Sequence, residues 1–166
     1  MGMILTATPS FRGRRIEAGL LSAGQDFDKN TNPFSVGLGK FVDLDKKDFI
    51  GKKALSNLEK KCRTWGLRVK ESVALKGENI FSNNKVIGRV TSSTWSPFQV
   101  CGVAIIHLNN DQFGPSSVID VKCSDGKIYK GEICSLPMYD EKNEIVRGLI
   151  ENIPTKPEPW PGIQTK

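Results

Sequence analysis

Five segments of strand length follow one another after Arg63, and turn signals stand among them. The segments are TWGLRV, KVIGRVTSS, VCGVAIIHL, SVIDVKC and KIYKGEICSL, and the turn signals are KGEN, SNNK, NNDQFGPS and SDGK. Asp125–Gly126 is a strong hairpin signal, because an Asp-Gly pair tolerates the positive φ angles of a tight turn. Short strands joined by regular turns indicate an antiparallel barrel or sandwich. The sequence therefore predicts a β domain over residues 63–145.

The residues before this domain carry a first helix signal at 14–23. Ile16 and Leu20 fall on one face together with Gly19 or Ala23, and Gly24 fits a C-cap. The remaining faces carry charged side chains. The pattern predicts a short amphipathic helix that ends at Gly24.

The next stretch, DKNTNPFSVGLG, is rich in turn residues and is predicted to be a loop. KFVDLD, at 40–45, alternates and favours a short strand, whereas FIGKKALSNLEKK favours a helix with Asp48 as its N-cap. The prediction for residues 1–62 is thus an α+β segment with a linker helix. Residues 146–166 hold four prolines and are predicted to form an extended tail, either disordered or a strap that packs Trp160 on the body or on a partner.

The charge of the chain limits its partners. The formal net charge is +6 and the pI is about 9.2, which fits simple solubility or an anionic partner such as a polyglutamylated cofactor or an acidic carrier protein. No block of five or six like charges stands in the sequence, so we predict no nucleic-acid tail. No stretch approaches the roughly 18 apolar residues of a membrane span, so we predict no membrane partner. The start has no basic n-region before a long apolar core, so we expect no signal peptide and a cytoplasmic location.

The cysteines and the single histidine give no site signature. Cys62, Cys101, Cys123 and Cys134 make no C-x-x-C pair, and we predict no metal. Cys101 and Cys134 stand in apolar surroundings and are interpreted as reduced, buried thiols. His107 lies inside the apolar run VAIIHL and is interpreted as a strand residue rather than a catalyst, although the sequence leaves a Cys–His nucleophile pair open.

Four segments resemble one family and occur in that family's order. RRIEAGLLSAGQDFDKNTNPFSVGLGKFV resembles the Arg-Leu-Glu-Ala-Gly, Tyr-Gly-x-Asp, Thr-x-Pro and Gly-Leu-Gly region of the glycine-cleavage T-protein (aminomethyltransferase) family. DFIGKKAL is similar to its Asp-Phe-Ile-Gly-Arg-Glu-Ala-Leu helix. IGRVTSSTWSPFQVCGVAIIHL resembles its Ile-Gly-x-Val-Thr-Ser-Gly region, and CSLPMYD resembles its closing Leu-Pro-Phe-Tyr. The matches extend from residue 12 to about residue 143.

The resemblance implies a fold, a cofactor and site residues. The fold is mainly β with an α+β N-terminal segment and a C-terminal antiparallel barrel, Greek-key or jelly-roll-like, of the aminomethyltransferase family. The implied activity is transfer of a one-carbon unit to tetrahydrofolate. Arg15 falls on the family's folate- or substrate-contacting arginine, Glu17 is expected to fix that arginine as its ion-pair partner, and Tyr139 falls on the closing tyrosine. A solvated helix face is the simpler interpretation of Arg15 and Glu17.

Two departures and the length of the match leave the function open. Ala23 stands where the family has tyrosine, and Ser93 stands where it has glycine. STWSP and LPMYD favour the branches like the dimethylsulfoniopropionate demethylases and the dehydrogenase-associated members. The matches cover only the family's second half, and the family's catalytic aspartate lies in its first half, so we assign no catalytic residue. The hypotheses are a C-terminal portion of the transferase, a demethylase-like fragment and a non-catalytic binding module. A nucleic-acid-binding barrel ranks last, because only Trp65, Phe81 and Tyr129 could stack bases.

The N-terminal segment contains apolar side chains that need other residues to bury them. Apolar side chains of residues 1–47 would lack their usual neighbours without the family's first half. Such a patch is normally an interaction surface. The expected partners are an N-terminal half or a second copy of the chain, with folding back on the barrel as the alternative. Self-association is favoured on the expectation that the outer face of the barrel is polar.

Overall fold

A closed barrel of six antiparallel strands forms the body of the molecule. The computed structural model describes residues 8–151, and its strands are β1 (Thr64–Val69), β2 (Asn79–Ser82), β3 (Lys85–Ser96), β4 (Cys101–Leu108), β5 (Val118–Lys122) and β6 (Ile128–Cys134). Their order around the barrel is β1-β4-β3-β2-β5-β6, and β6 closes on β1. The predicted mainly β fold with a C-terminal antiparallel barrel is confirmed. None of the described helices is long and apolar enough to cross a membrane.

The interior of the barrel is filled by alternate residues of its strands. A strand points successive side chains to opposite faces, so every second residue faces inward. The inward set is aliphatic and almost fully buried: Leu67, Val69, Ile80, Val90, Ala104, Ile106, Leu108, Ile119, Val121 and Ile133. Full burial of one such side chain contributes roughly 1.5–3 kcal/mol, so this set supplies the main stabilisation of the barrel.

Two hairpins close with residues in the left-handed region. Gly126 has φ +81°, which confirms the turn predicted at Asp125–Gly126 between β5 and β6. Asn83 and Asn84 have φ +48° and +62° and join β2 to β3. The strand signals did not include β2, because it is short and stands between two turn signals. Its inward residue, Ile80, is fully buried.

The first helix lies earlier in the chain than its pattern predicts. Helix α1 spans Thr8–Glu17, so the predicted helix at 14–23 with a C-cap at Gly24 is wrong. Gly19 has φ +69°, and its N–H donates to the carbonyl of Ile16 (3.1 Å), which ends the helical geometry before Leu20. Leu20 is exposed as a result.

The predicted strand at 40–45 and the long second helix are also wrong. A 3-10 helix, Gly39–Phe41, occupies the start of the predicted strand. Helix α2 spans only Lys52–Ser56 and begins after Gly51, whose φ is +91°, so Asp48 is not its N-cap. Neither helix buries a residue, and short helices without tertiary packing are marginal in water.

Helix α1 packs on the outside of the barrel. Val103 and Ile105 of β4 face outward, yet they are buried with Ile16 of α1. The cluster also contains Cys101, Cys134 and Met138, and Leu21 and Leu136 pack against it. The expectation of a polar outer face is therefore wrong at β4, and Ile16 finds its cover on the same chain. Of the predicted tail, residues 146–151 are described, and Trp160 and all four prolines lie outside the described residues.

We expect Gly88→Ala to destabilise the barrel strongly. A Cβ at Gly88 would stand 2.3 Å from the carbonyl oxygen of His107, which is backbone and cannot move aside. Overpacking of this kind costs about 3 kcal/mol. Gly114→Ala is the matched control, because a Cβ there meets nothing within 4 Å. Urea denaturation should show a large loss for Gly88→Ala only, and equal midpoints would contradict the register of β3 on β4.

Candidate functional site

Arg15 is held by three groups at the end of α1. One guanidinium nitrogen, Nη1, donates to Asp26 Oδ2 (2.7 Å) and to the carbonyl of Leu20 (3.0 Å). The other, Nη2, donates to Ser92 Oγ (2.7 Å). The Arg15 side chain is 20% exposed, whereas the Asp26 side chain is fully buried. The ion-pair partner of Arg15 is therefore Asp26, and the expected pair of Arg15 with Glu17 is wrong.

Asp26 stands at the centre of this network. Its Oδ1 accepts from Thr91 Oγ1 (2.6 Å) and Ser92 Oγ (2.6 Å), and its Oδ2 accepts from the N–H of Ser22 (2.9 Å) as well as from Arg15. A buried carboxylate is tolerated only when its lone pairs are satisfied in this way. The carboxylate thereby joins α1, the loop after it and β3.

A bulge in β3 brings both hydroxyls to the same carboxylate oxygen. Adjacent residues of a regular strand point to opposite faces, so Thr91 and Ser92 could not both reach Asp26. The pairing of β3 with β4 shifts between Val90 and Ser92, which re-aims one side chain. Thr91 Oγ1 lies also 3.0 Å from the carbonyl oxygen of Ile105.

Three motifs from two of the segments singled out in the sequence thus meet at one point. Arg15 belongs to RRIEAG, Asp26 to the turn AGQD, and Thr91 and Ser92 to VTSS. Sequence reasoning did not select Asp26 as a site residue. The signal was present, because the corresponding Tyr-Gly-x-Asp turn retains its aspartate here even though its tyrosine is replaced by Ala23.

Glu17 forms a second buried polar centre one residue beyond Ile16. The residue is 2% exposed, and Oε1 accepts a hydrogen bond from the Ser96 hydroxyl. Oε2 lies 3.6 Å from Arg14 Nη1 and has no hydrogen bond within residues 8–151. The backbone carbonyl of Glu17 accepts from the N–H of Met138 (2.8 Å). Glu17 therefore connects α1 to β3 and to the segment that follows β6.

Arg68 and Gln99 hold that last segment in place. Arg68 Nε donates to Gln99 Oε1 (2.7 Å), and Arg68 Nη2 donates to the carbonyl of Met138. The N–H of Gln99 donates to Ser96 Oγ (2.9 Å), so this bracket is continuous with Glu17. The position of Tyr139, next to Met138, is fixed through it.

Arg14, Phe98 and Tyr139 form a surface that we call the aromatic face. The rings of Phe98 and Tyr139 lie 4.8 Å apart between centroids at an interplanar angle of 54°. The Arg14 guanidinium lies 5.6 Å from the centroid of Phe98 and donates to Tyr139 Oη over 3.4 Å. The Arg14 side chain is 67% exposed, so its charge is open to a ligand. Flat rings beside a guanidinium suit a planar anionic molecule.

The candidate site residues are thus divided by the structure. Tyr139 belongs to the aromatic face, and Glu17 lies buried behind it, 3.6 Å from Arg14. Arg15 points instead into the Asp26 network. Arg14 and Phe98 were not selected from the sequence. They are 84 residues apart in the chain, and no sequence motif indicates that they are neighbours in the fold.

The cysteines and His107 form no nucleophilic pair among the described residues. His107 Nδ1 lies 3.0 Å from Thr64 Oγ1, and burial lowers the pKa of His107, as do the charges of Arg89 and Arg63. Cys101 and Cys134 lie on strands, are buried and form no disulfide, as expected. Burial raises the pKa of Cys101 to about 11 and that of Cys134 to about 12. Between residues 8 and 151, no group of three or more His, Cys, Asp or Glu could hold a metal ion.

We expect Asp26→Ala to cost about 3 kcal/mol of stability, because breaking a buried ion pair leaves its partners unpaired. Arg15, Thr91 and Ser92 would each lose one acceptor, and the Arg15 charge would lose its ion-pair partner. Asp28→Ala is the control, since that carboxylate is exposed and bonds only to its own turn. Chemical denaturation should separate the two variants clearly. Similar midpoints would show that the network contributes little.

We expect the buried thiols to make the protein less stable in alkali. Unfolded cysteines ionise near pH 9.0, whereas Cys101 and Cys134 stay protonated up to about pH 11 and 12. The folded state then binds more protons, so the free energy of unfolding should fall as the pH rises above 9. Below that pH the contribution is complete. Denaturation between pH 8 and 10 should show this slope, and Cys101→Ala/Cys134→Ala should reduce it; an unchanged slope would contradict the burial of these thiols.

Comparison with known proteins agrees with this architecture. Residues 63–140 match the model of the glycine cleavage T-protein C-terminal barrel domain. The chain is 34% identical over 130 residues to an aminomethyltransferase of Prochlorococcus marinus and 34% identical over 133 residues to one of Thermotoga maritima, in each case over 75% of this chain and 35% of the relative. The crystal structure of the glycine cleavage system aminomethyltransferase T from Bartonella henselae is similar with a TM-score of 0.66 and 27% identity, over 76% of this chain and 37% of that one.

The chain spans about a third of the length of these relatives. The barrel itself is matched by sequence and by fold. Residues 63–140 are therefore similar, in sequence and in fold, to the C-terminal barrel domain of glycine cleavage T-proteins.

Proposed function

We propose that this chain is the C-terminal portion of a tetrahydrofolate-dependent aminomethyltransferase. The observation that supports this most directly is the Asp26 network, in which three motifs from two family-like segments meet around one buried carboxylate. The similarity to aminomethyltransferases extends over 75% of this chain. In this proposal the network positions α1, and α1 presents a ligand-binding surface at its C-terminal end.

The aromatic face fits tetrahydrofolate in its chemistry. Phe98 and Tyr139 offer ring faces to a planar molecule, and Arg14 can form charge-assisted hydrogen bonds with a carboxylate. Glu17 Oε2 is a buried acceptor without a hydrogen bond inside residues 8–151, which a donor on a ligand could satisfy if Arg14 moves. Arg15 acts as a positioning residue through its ion pair with Asp26. Alternatively, Arg15 contacts the ligand with guanidinium N–H groups that are not used in its bonds to Asp26, Leu20 and Ser92. Tetrahydrofolate, when bound, supplies the nitrogen that accepts the one-carbon unit.

The chain contributes binding and orientation rather than acid–base chemistry. Its two buried carboxylates near the site, Glu17 and Asp26, are engaged in hydrogen bonds that hold the fold. Holding a reactant in the productive geometry is itself a large part of a group-transfer reaction. The carboxylate that would anchor an amine is proposed to come from the part of the enzyme that corresponds to the remaining two thirds of the relatives.

A methyl group on sulfur is the alternative one-carbon donor. Ala23 and Ser93 depart from the aminomethyltransferase pattern, and STWSP and LPMYD favour a dimethylsulfoniopropionate demethylase-like branch. A non-catalytic binding module is the third reading of the same barrel. Supplying the mixture described below with an aminomethyl donor or with a methyl donor on sulfur separates the first two, and absence of folate binding would favour the module.

The segment at 40–61 is the proposed surface for a partner. It contains seven lysines and four carboxylates, so its formal net charge is +3. Phe41 and Ile50 are exposed within it. A basic surface with exposed apolar groups suits an acidic carrier protein, whereas contact with an N-terminal half or with a second copy is proposed for the exposed Phe11 and Leu20 around α1. A cytoplasmic location is part of the proposal and fits four free cysteines.

The test combines this chain with the remainder of the Thermotoga maritima aminomethyltransferase. The chain alone should show no aminomethyl or methyl transfer, and the mixture should bind tetrahydrofolate in calorimetry. Arg14→Gln should weaken that binding about tenfold, which corresponds to about 1.4 kcal/mol. Arg12→Gln is the control, because Arg12 is exposed on the same helix. Turnover by the chain alone, or an equal effect of both variants, would refute this assignment.

A further inference from the structure

A cleft of about 290 Å³ lies outside the aromatic face, between the loop after α1 and the barrel. One wall is the loop from Gly24 to Thr31, and the other consists of Lys76–Gly77 before β2 and of Arg89–Thr91 in β3. Neither Arg14 nor Tyr139 lines it. The proposed folate site shares no residue with this cleft, so each proposal can be refuted without refuting the other.

Hydrogen bonds fix both walls. Lys76 Nζ donates to Gln25 Oε1 (3.0 Å) and so joins the loop to the barrel. The N–H of Gly77 donates to the carbonyl of Val90 (2.9 Å), and the N–H of Gly24 donates to that of Phe27 (2.8 Å). A Cβ at Gly24 or Gly77 would meet nothing within 4 Å, so both glycines border open space. The cleft is therefore a formed depression rather than a gap between loose segments.

The charges in the cleft leave a surplus of one cation. Within residues 8–151, no carboxylate oxygen lies within 4.0 Å of Lys76 Nζ or of the Arg89 guanidinium nitrogens. Asp28 is the single acidic residue of the lining. Its pKa is lowered mainly by the backbone N–H of Asn30, then by the Thr31 hydroxyl, and the charge of Arg89 lowers it further. Two cations and one carboxylate give a local charge of +1.

We propose that this cleft binds the carboxylate of a small molecule with a planar or apolar body. The guanidinium of Arg89 offers a fork of donors that matches a carboxylate, and Lys76 adds a point charge on the same wall. The body of the ligand lies against the Phe27 ring, which lines the cleft. One carboxylate cancels the surplus charge, whereas a phosphate dianion would leave an excess negative charge beside Asp28.

Titration of the chain with benzoate, followed by amide chemical shifts, tests this proposal. Benzoate should cause saturable shifts at Gly24, Gly77 and Thr91. Benzamide has the same ring without the charge and should bind at least about tenfold more weakly, since a charge-assisted pair is absent. Inorganic phosphate should also bind more weakly than benzoate. Shifts that do not saturate or that map elsewhere, equal binding of benzamide, or tighter binding of phosphate would each overturn the assignment.

Variants locate the effect within the cleft. Arg89→Gln and Lys76→Gln should each raise the dissociation constant of benzoate about tenfold. Lys85→Gln is the matched control, because Lys85 is an exposed cation of the same strand, β3, outside the cleft lining. Folding of each variant is checked by its amide spectrum. Equal losses in Lys85→Gln and Arg89→Gln would mean that only net charge matters and would overturn the site.

Discussion

The position of helix α1 depends on one buried carboxylate. Asp26 accepts from Arg15, Thr91, Ser92 and the backbone of Ser22, so it links the helix, the turn after it and β3. A buried charge is stable only when paired and hydrogen-bonded, which makes the arrangement nearly all-or-none. The bulge in β3 lies next to this carboxylate. It allows the hydroxyls of Thr91 and Ser92 to donate to the same oxygen, Asp26 Oδ1. Asp26 thereby helps to position two features: it anchors α1, which carries Arg14 of the aromatic face, and it bonds Thr91, which lines the cleft.

The outer surface of the barrel carries a second apolar layer, and that layer determines how the N-terminal segment folds. Val103 and Ile105 alternate with inward residues of β4 and are covered by Ile16. A strand that is apolar on both faces needs cover on both sides. Helix α1 supplies this cover, whereas the segment at 40–61 has no comparable layer beneath it and keeps short helices with exposed apolar groups.

The polar groups around the outer apolar layer have two roles, support of the segment that carries Tyr139 and presentation of a charge at the surface. Glu17, Ser96 and Arg68 are buried, Gln99 is half-buried, and together they hold the segment that carries Tyr139, while Arg14 remains exposed beside the rings. Such a buried support under an exposed binding surface limits the motion of the surface groups. The chemistry proposed here accordingly assigns positioning to this chain, with binding groups at two separate places: a cationic aromatic face for a cofactor, and a cleft with one surplus positive charge for a carboxylate.

The sequence by itself determined an antiparallel β domain, five of its six strands and the hairpin at Gly126, because strand alternation and turn chemistry are local properties. That pattern left a barrel or a sandwich open, and the barrel was implied only by the family resemblance. The sequence also placed Arg15, Glu17 and Tyr139 in segments that the structure brings near one another. It could not determine that Arg15 pairs with Asp26, because Ser92 and Asp26 are brought together by a bulge and by α1 docking across 66 residues of chain. The ends of both helices were likewise decided by tertiary structure: a periodic pattern shows which face is apolar, but burial against β4 and the positive φ angles of Gly19 and Gly51 decide where helical geometry begins and stops.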